Sequence, residues 1–133
     1  MLFGQEHVEE YQRTDGQNGH DWQGTTTLLL TTTGRKSGEE RTTPLIYQEH
    51  DGDYLIVASK GGADTPPAWY LNLQENQSAR VQVWGDVFDV DVRDATDEEK
   101  PEMWRKMAAT WPDYDEYQKK TDRPIPIVVL SRR

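Results

Sequence analysis

Apolar positions in this chain come in short runs separated by polar turns, which predicts strands with brief helices between them. "TTTLLLTTT" (Thr25 to Thr33) is β-branched at both ends and apolar in the middle, the signature of a strand. "RTTPLIYQEH" (Arg41 to His50) predicts a second, with Pro44 requiring an edge position or a bulge because it has no N–H for a ladder. Asp51-Gly52-Asp53 marks a hairpin, and "YLIVAS" (Tyr54 to Ser59) reads as a well-buried third strand. "ARVQVW" (Ala79 to Trp84) and "VFDVDV" (Val87 to Val92) alternate around Gly85-Asp86, a second hairpin. "IPIVVL" (Ile125 to Leu130) is the last strand.

The helical signals are shorter. Val8 and Tyr11, three apart in an acidic stretch, predict a first helix that ends near Thr14 to Gly19. Asp64 or Thr65 is placed to cap a helix whose first turn is Pro66-Pro67, with Trp69, Asn72 and Leu73 on one face. Thr96 and Glu99 form a capping box for a helix through Trp104 and Met107. Pro112 breaks that helix, and Asp113 to Lys120 predicts another. The expected fold is mainly β with inserted helices (α+β): six mostly antiparallel strands that close into a barrel or pack as a sandwich.

At 133 residues the chain is expected to form one domain, with 1–24 as an N-terminal helix and lead-in and 25–133 as the barrel. Apolar content is only 34 %, but five Trp, six Tyr and two Phe supply large core surfaces. A formal charge of −9 argues against nucleic-acid binding, which needs a broad basic face. No run approaches a membrane span, the first residues do not read as a signal peptide, and Glu6, Glu9 and Glu10 oppose attraction to anionic lipid. Zero cysteines exclude disulfides and thiolate chemistry, and a cytoplasmic location is expected.

Against this acidic background Arg35, Lys36 and Arg41 fall within seven residues, on a turn with Gly34, Ser37 and Gly38. Such a turn either binds an anion through backbone N–H groups and charged side chains or is a solvated tip pairing with Glu39 and Glu40. "SKGGADTPPAW" adds Lys60, Gly61 and Gly62 after a buried strand and before a helix. This is either an anion-binding loop or a glycine-permitted connector, and it has neither P-loop nor dinucleotide-fingerprint spacing. Trp111, Tyr114 and Tyr117, spaced by three, would share a helix face as core or as an aromatic wall with phenol donors. His7, His20 and His50 are scattered and predict no metal site.

Taken together, "GRKSGEERTTPL" (Gly34 to Leu45), "YLIVASKGG" (Tyr54 to Gly62), "PAWYLNL" (Pro67 to Leu73) and "YDEYQKKTDRPIPIVVL" (Tyr114 to Leu130) resemble the deazaflavin-dependent nitroreductase family. Its members are similar to flavin-reductase-type split β-barrels and use reduced coenzyme F-420. The resemblance runs from about Thr25 to the end, and the N-terminal segment is its least informative part. It implies that Arg35, Lys36, Arg41 and Lys60 hold the coenzyme's phosphate and glutamate tail, with Ser37 on the same turn. It also implies that Ser59, Gly61 and Gly62 contact the coenzyme closely, and that Thr43, Pro44 and Leu45 line the deazaflavin. Trp69 and Asn72, with Leu73 beside them, would flank the ring from the inserted helix. Tyr114 and Tyr117 would border the substrate, and Trp111 stands where some relatives carry tyrosine. Local cations on two loops would overcome the repulsion between an acidic protein and a polyanionic tail.

The implied activity is hydride transfer from reduced F-420 to quinones, enones or nitroaromatics. Tyr114 or Tyr117 would hydrogen-bond the acceptor oxygen and possess a proton to give, though no obligate acid–base residue stands out. The alternatives are an FMN- or FAD-binding split-barrel reductase and a non-catalytic deazaflavin-binding protein. Either a monomer or a homodimer is compatible with the sequence.

Overall fold

A computed structural model describes residues 2–133. Among these residues eight strands are present: β1 (Asp21–Trp22), β2 (Thr25–Thr33), β3 (Glu40–Ile46), β4 (Gln48–His50), β5 (Asp53–Val57), β6 (Ser78–Val83), β7 (Asp86–Asp94) and β8 (Ile127–Arg132). Four helices accompany them: α1 (Gly4–Arg13), α2 (Ala68–Glu75), α3 (Lys100–Thr110) and α4 (Asp113–Lys119), with one 3-10 turn at Lys60–Gly62. All strand pairs are antiparallel. The sheet runs β2-β6-β7-β8-β5-β4, and β3 pairs with the other side of the path at β2. Only Tyr47 separates β3 from β4, so one bent segment pairs at both ends of the sheet and curls it toward closure.

That bend accounts for the difference from the six expected strands. The predicted Arg41–His50 strand breaks at Tyr47, and the two-residue β1 carries no periodic signal of its own. Tyr47 is buried; its N–H donates to Thr26 O at 3.1 Å and its hydroxyl meets His20 Nε2 at 2.8 Å. An anchored core side chain thus turns the segment from one neighbour to the other. Pro44 lies opposite Leu29 in β3, which has no second strand neighbour, so the missing N–H falls on an edge.

Side-chain alternation explains why the strands look continuously apolar. Leu28 and Leu30 face the main core with Tyr47, Ile56, Val81, Val90, Val128 and Leu130. Leu29 points the other way, onto Val8 and Tyr11 of α1. In β5 and β8, Leu55, Val57, Ile127 and Val129 face a second core made with Met103, Met107, Tyr114 and Ile125. Both faces of these strands are buried, and periodicity two disappears from the sequence. The helix starts divide. Thr96 N–H donates to Glu99 Oε1 at 2.8 Å, and Glu99 N–H donates to Thr96 Oγ1 at 3.3 Å, the reciprocal capping box. The second helix instead begins at Ala68, capped by Pro67 with no side-chain bond, so neither Asp64 nor Thr65 caps it and Pro66-Pro67 precede it.

Candidate functional site

The chain leaves β5 through Ala58 and Ser59 into three successive left-handed residues, Lys60 (φ 46°), Gly61 (φ 63°) and Gly62 (φ 87°). The two glycines serve different ends. A Cβ on Gly61 would meet open space, whereas one on Gly62 would lie 2.6 Å from Tyr117 O and 3.0 Å from Tyr117 Cα. Gly62 therefore lets the backbone of α4 sit directly on this loop. Arg123 fixes the loop from behind. Its guanidinium donates to Ala63 O at 2.8 Å, to Ser59 O at 3.0 Å and to Ala58 O at 3.3 Å. Three carbonyls that would otherwise turn to water are held by one cation.

In front of the loop lies a cavity of about 350 Å³. Pro44, Leu45 and Ile46 of β3 form one side, and Ser59, Lys60, Gly61 and Trp69 another. Trp111, Tyr114 and Tyr117 close it from the helical side. Trp111 is the C-cap of α3 rather than part of α4, because Pro112 intervenes, so the three aromatics do not share one helix. They converge nonetheless: Trp111 Nε1 donates to Tyr117 Oη at 3.4 Å, and the Tyr114 and Tyr117 rings meet edge to face at 6.0 Å. Tyr114 is 5 % exposed, and among the described residues its hydroxyl has no hydrogen-bond partner. Burial, then the neighbouring Tyr117, pushes this phenol above its ordinary range and keeps it a neutral donor. An unpaired donor on a buried ring that lines a cavity is poised to bond what enters.

A more polar groove adjoins this cavity across Trp69, which lines both. Arg41, Thr43 and Asn72 line it, with Gln5 and Gln12 from α1. The predicted cations are distributed unequally. Arg35 is tied to Asn72 Oδ1 by its backbone N–H (3.1 Å) and its Nη1 (3.0 Å), while Asn72 Nδ2 donates to Thr32 Oγ1. Arg41 pairs with Glu39 at 3.4 Å, both exposed, as a solvated turn would have it. Among the described residues Lys60 reaches only Thr65 Oγ1, at 3.5 Å. Lys36 is exposed and borders neither space, and Ser37 accepts from Glu39 N–H within the turn. Leu73 borders neither space either; it is a core residue.

Sequence reasoning passed over the N-terminal wall. Phe3, Gly4, His7, Trp22 and Thr27 complete the first cavity. His7, Trp22 and Trp111 form a file of rings with centroids 6.1 and 5.9 Å apart. Trp22 Nε1 also donates to Leu2 O at 2.7 Å, fastening the lead-in across it. Nothing in spacing could announce this, since His7 and Trp22 meet only once α1 folds over β2. Arg123 was equally silent, being a lone arginine between turn residues.

A tyrosine-backed cavity beside a more polar groove on a curled antiparallel sheet is the architecture of a ligand-binding split barrel. The comparisons with known proteins agree and are more specific. The family model described as F420H(2)-dependent quinone reductase matches residues 3–132. The chain belongs to that family. It is 40 % identical over 131 residues to an F420H(2)-dependent quinone reductase of Mycobacterium tuberculosis strain H37Rv, covering 96 % of this chain and 88 % of that protein. A solved F420-H2-dependent reductase is 42 % identical with a TM-score of 0.72, covering 79 % of this chain and 93 % of that one. Another solved relative, described as a domain-swapped dimer, is 39 % identical with a TM-score of 0.77 and coverages of 95 % and 92 %.

Proposed function

We propose that this protein, acting as one unit over residues 1–133, reduces quinones with reduced coenzyme F-420, and that conjugated enones and nitroaromatics are further acceptors of the same site. The observation that carries the reading is the Tyr114 hydroxyl, unpaired among the described residues, on a cavity that Leu45, Trp69, Lys60 and Gly61 also line. The residues suit the coenzyme's two halves. Pro44, Leu45 and Trp69 offer flat apolar surface for a tricyclic ring. Lys60, the open side of Gly61, and the groove with Arg41, Thr43 and Asn72 offer polar contacts for an anionic tail, with Arg35 held at the groove's edge by Asn72. Lys36, exposed and unengaged, adds long-range attraction, and Ser59 and Gly62 shape the loop. When bound, the coenzyme supplies a hydride.

The chain's own part is placement and exclusion. The aromatic file His7–Trp22–Trp111 keeps water from one side of the cavity. Tyr114 donates to the acceptor oxygen as negative charge develops there, and Tyr117 holds Trp111 in place as the acceptor's neighbour. By analogy with the solved relative, a homodimer is the expected assembly. The test is oxidation of reduced F-420 followed by the return of its visible absorbance, with menadione, a cyclic enone and a nitroaromatic as acceptors. F-420 and FMN are titrated in parallel at one salt concentration. Turnover with menadione and tighter binding of F-420 are expected. Preference for FMN, or no turnover with any acceptor, refutes the reading.

A further inference from the structure

His7 is the one imidazole bordering the cavity, and it is 2 % exposed. Its Nε2 lies 2.8 Å from Gly19 O and 3.4 Å from Thr27 Oγ1. A carbonyl can only accept, so Nε2 carries a hydrogen. The Cδ2–Nε2 edge is the one that packs on Gly19, with Cδ2 3.1 Å and Nε2 3.2 Å from where a Cβ on that glycine would be. Trp22 covers one face of the ring, stacked at 6.1 Å, and Tyr11 flanks it at 6.3 Å. The ring's hydrogen bonds are therefore made by Nε2, and Nδ1 has no hydrogen-bond partner among the described residues.

We infer that Nδ1 of His7 is the proton donor to the reduced quinone, an inference that rests on the quinone-reductase reading above. The hydride brings two electrons and one hydrogen to the quinone and leaves a hydroquinone monoanion. The Nδ1–H proton of the imidazolium then moves to the anionic oxygen, giving the hydroquinone. The neutral ring, with Nε2–H still on Gly19 O, recovers a proton from solvent. The bond to Gly19 holds the ring through both states, so the exchange needs no rotation. The neighbours that bear on its charge are few. Tyr11, Trp22, Thr27 and Gly19 pack against it, Lys60, Tyr114 and Tyr117 share the cavity, and Glu6 and Glu10 lie on the same helix, Glu10 being bonded to Arg13 and Asn18.

Two substitutions separate this role from a purely structural one. His7→Gln places an amide N–H near Nε2 and keeps a donor for Gly19 O, but has nothing at Nδ1. His7→Asn places a polar atom near Nδ1 and loses the Gly19 bond. The expected result for His7→Gln is unchanged affinity for oxidised F-420, by fluorescence titration, with kcat for menadione lowered roughly tenfold to hundredfold. As a readout without turnover, the wild-type His7 Nδ1 nitrogen resonance should move on adding menadiol. A His7→Gln enzyme with wild-type kcat, or an unmoved Nδ1 resonance, overturns the assignment. Wild-type protein that oxidises no F-420H2 with any quinone overturns the reductase reading itself, whatever the variants do.

Discussion

The contact between Gly62 and α4 is the sharpest test of how the site is built. Replacing Gly61 or Gly62 by Ala puts an L side chain at positive φ in both cases, costing about 1–2 kcal/mol. Both gain about 0.4–1 kcal/mol through the stiffer unfolded chain. There the likeness ends. The Gly61 Cβ meets nothing within 4 Å, whereas the Gly62 Cβ is driven to 2.6 Å from Tyr117 O, a backbone atom that cannot swing aside. Overpacking of that kind adds about 1–3 kcal/mol. For a chain of 133 residues, each kcal/mol shifts Tm by about 3–4 °C. Gly61→Ala should thus lower Tm by roughly 0–6 °C and Gly62→Ala by roughly 3–18 °C, the two variants differing by roughly 3–12 °C. Circular dichroism melts of both variants beside wild type measure this directly. Since Gly62→Ala displaces the helix that carries Tyr114 and Tyr117, it should also lower kcat more than Gly61→Ala does. Equal melting points for the two variants would refute the claim that α4 rests on this loop.

Tyr114→Phe removes a hydroxyl that bonds nothing among the described residues, so its Tm should stay within about 2 °C of wild type while kcat falls about tenfold or more, as comparative melts and steady-state rates will reveal. Arg123→Ala frees the carbonyls of Ala58, Ser59 and Ala63 together; urea unfolding should report a loss of about 2–4 kcal/mol, accompanied by weaker F-420 binding. Burial raises the phenols of Tyr11, to about 12, and of Tyr47 and Tyr114. A raised folded-state pKa contributes stability that is complete below the unfolded tyrosine value near 10 and is lost as pH climbs from there through about 12. Unfolding free energies at pH 8 and pH 11 should therefore differ, with the lower value at pH 11, and Tyr11→Phe should reduce the difference.

Much of the barrel was legible because its strands have chemical punctuation. Thr25 to Thr33, the hairpin about Gly85, and the Thr96–Glu99 box each carry a local cause for local structure. The break at Tyr47 has no such cause, since it arises from what its side chain finds across the core. The site divides in the same way. Pro44, Leu45, Ser59, Lys60, Gly61, Trp69, Trp111, Tyr114 and Tyr117 all border the first cavity. Arg41, Thr43 and Asn72 border the second space instead, and Leu73 went to the core because it faces the barrel from α2. His7 and Trp22 stayed hidden because their partners are contributed by distant strands and helices, a relation that no window of sequence contains.

The loop at Lys60–Gly62 has one more implication. Three left-handed residues in a row, clasped by Arg123 and roofed by α4, leave little conformational freedom to surrender when a ligand arrives. Association should then proceed as a single concentration-dependent phase with no slow isomerisation following it, and the residence time, rather than the capture rate, should differ among coenzymes with longer or shorter tails.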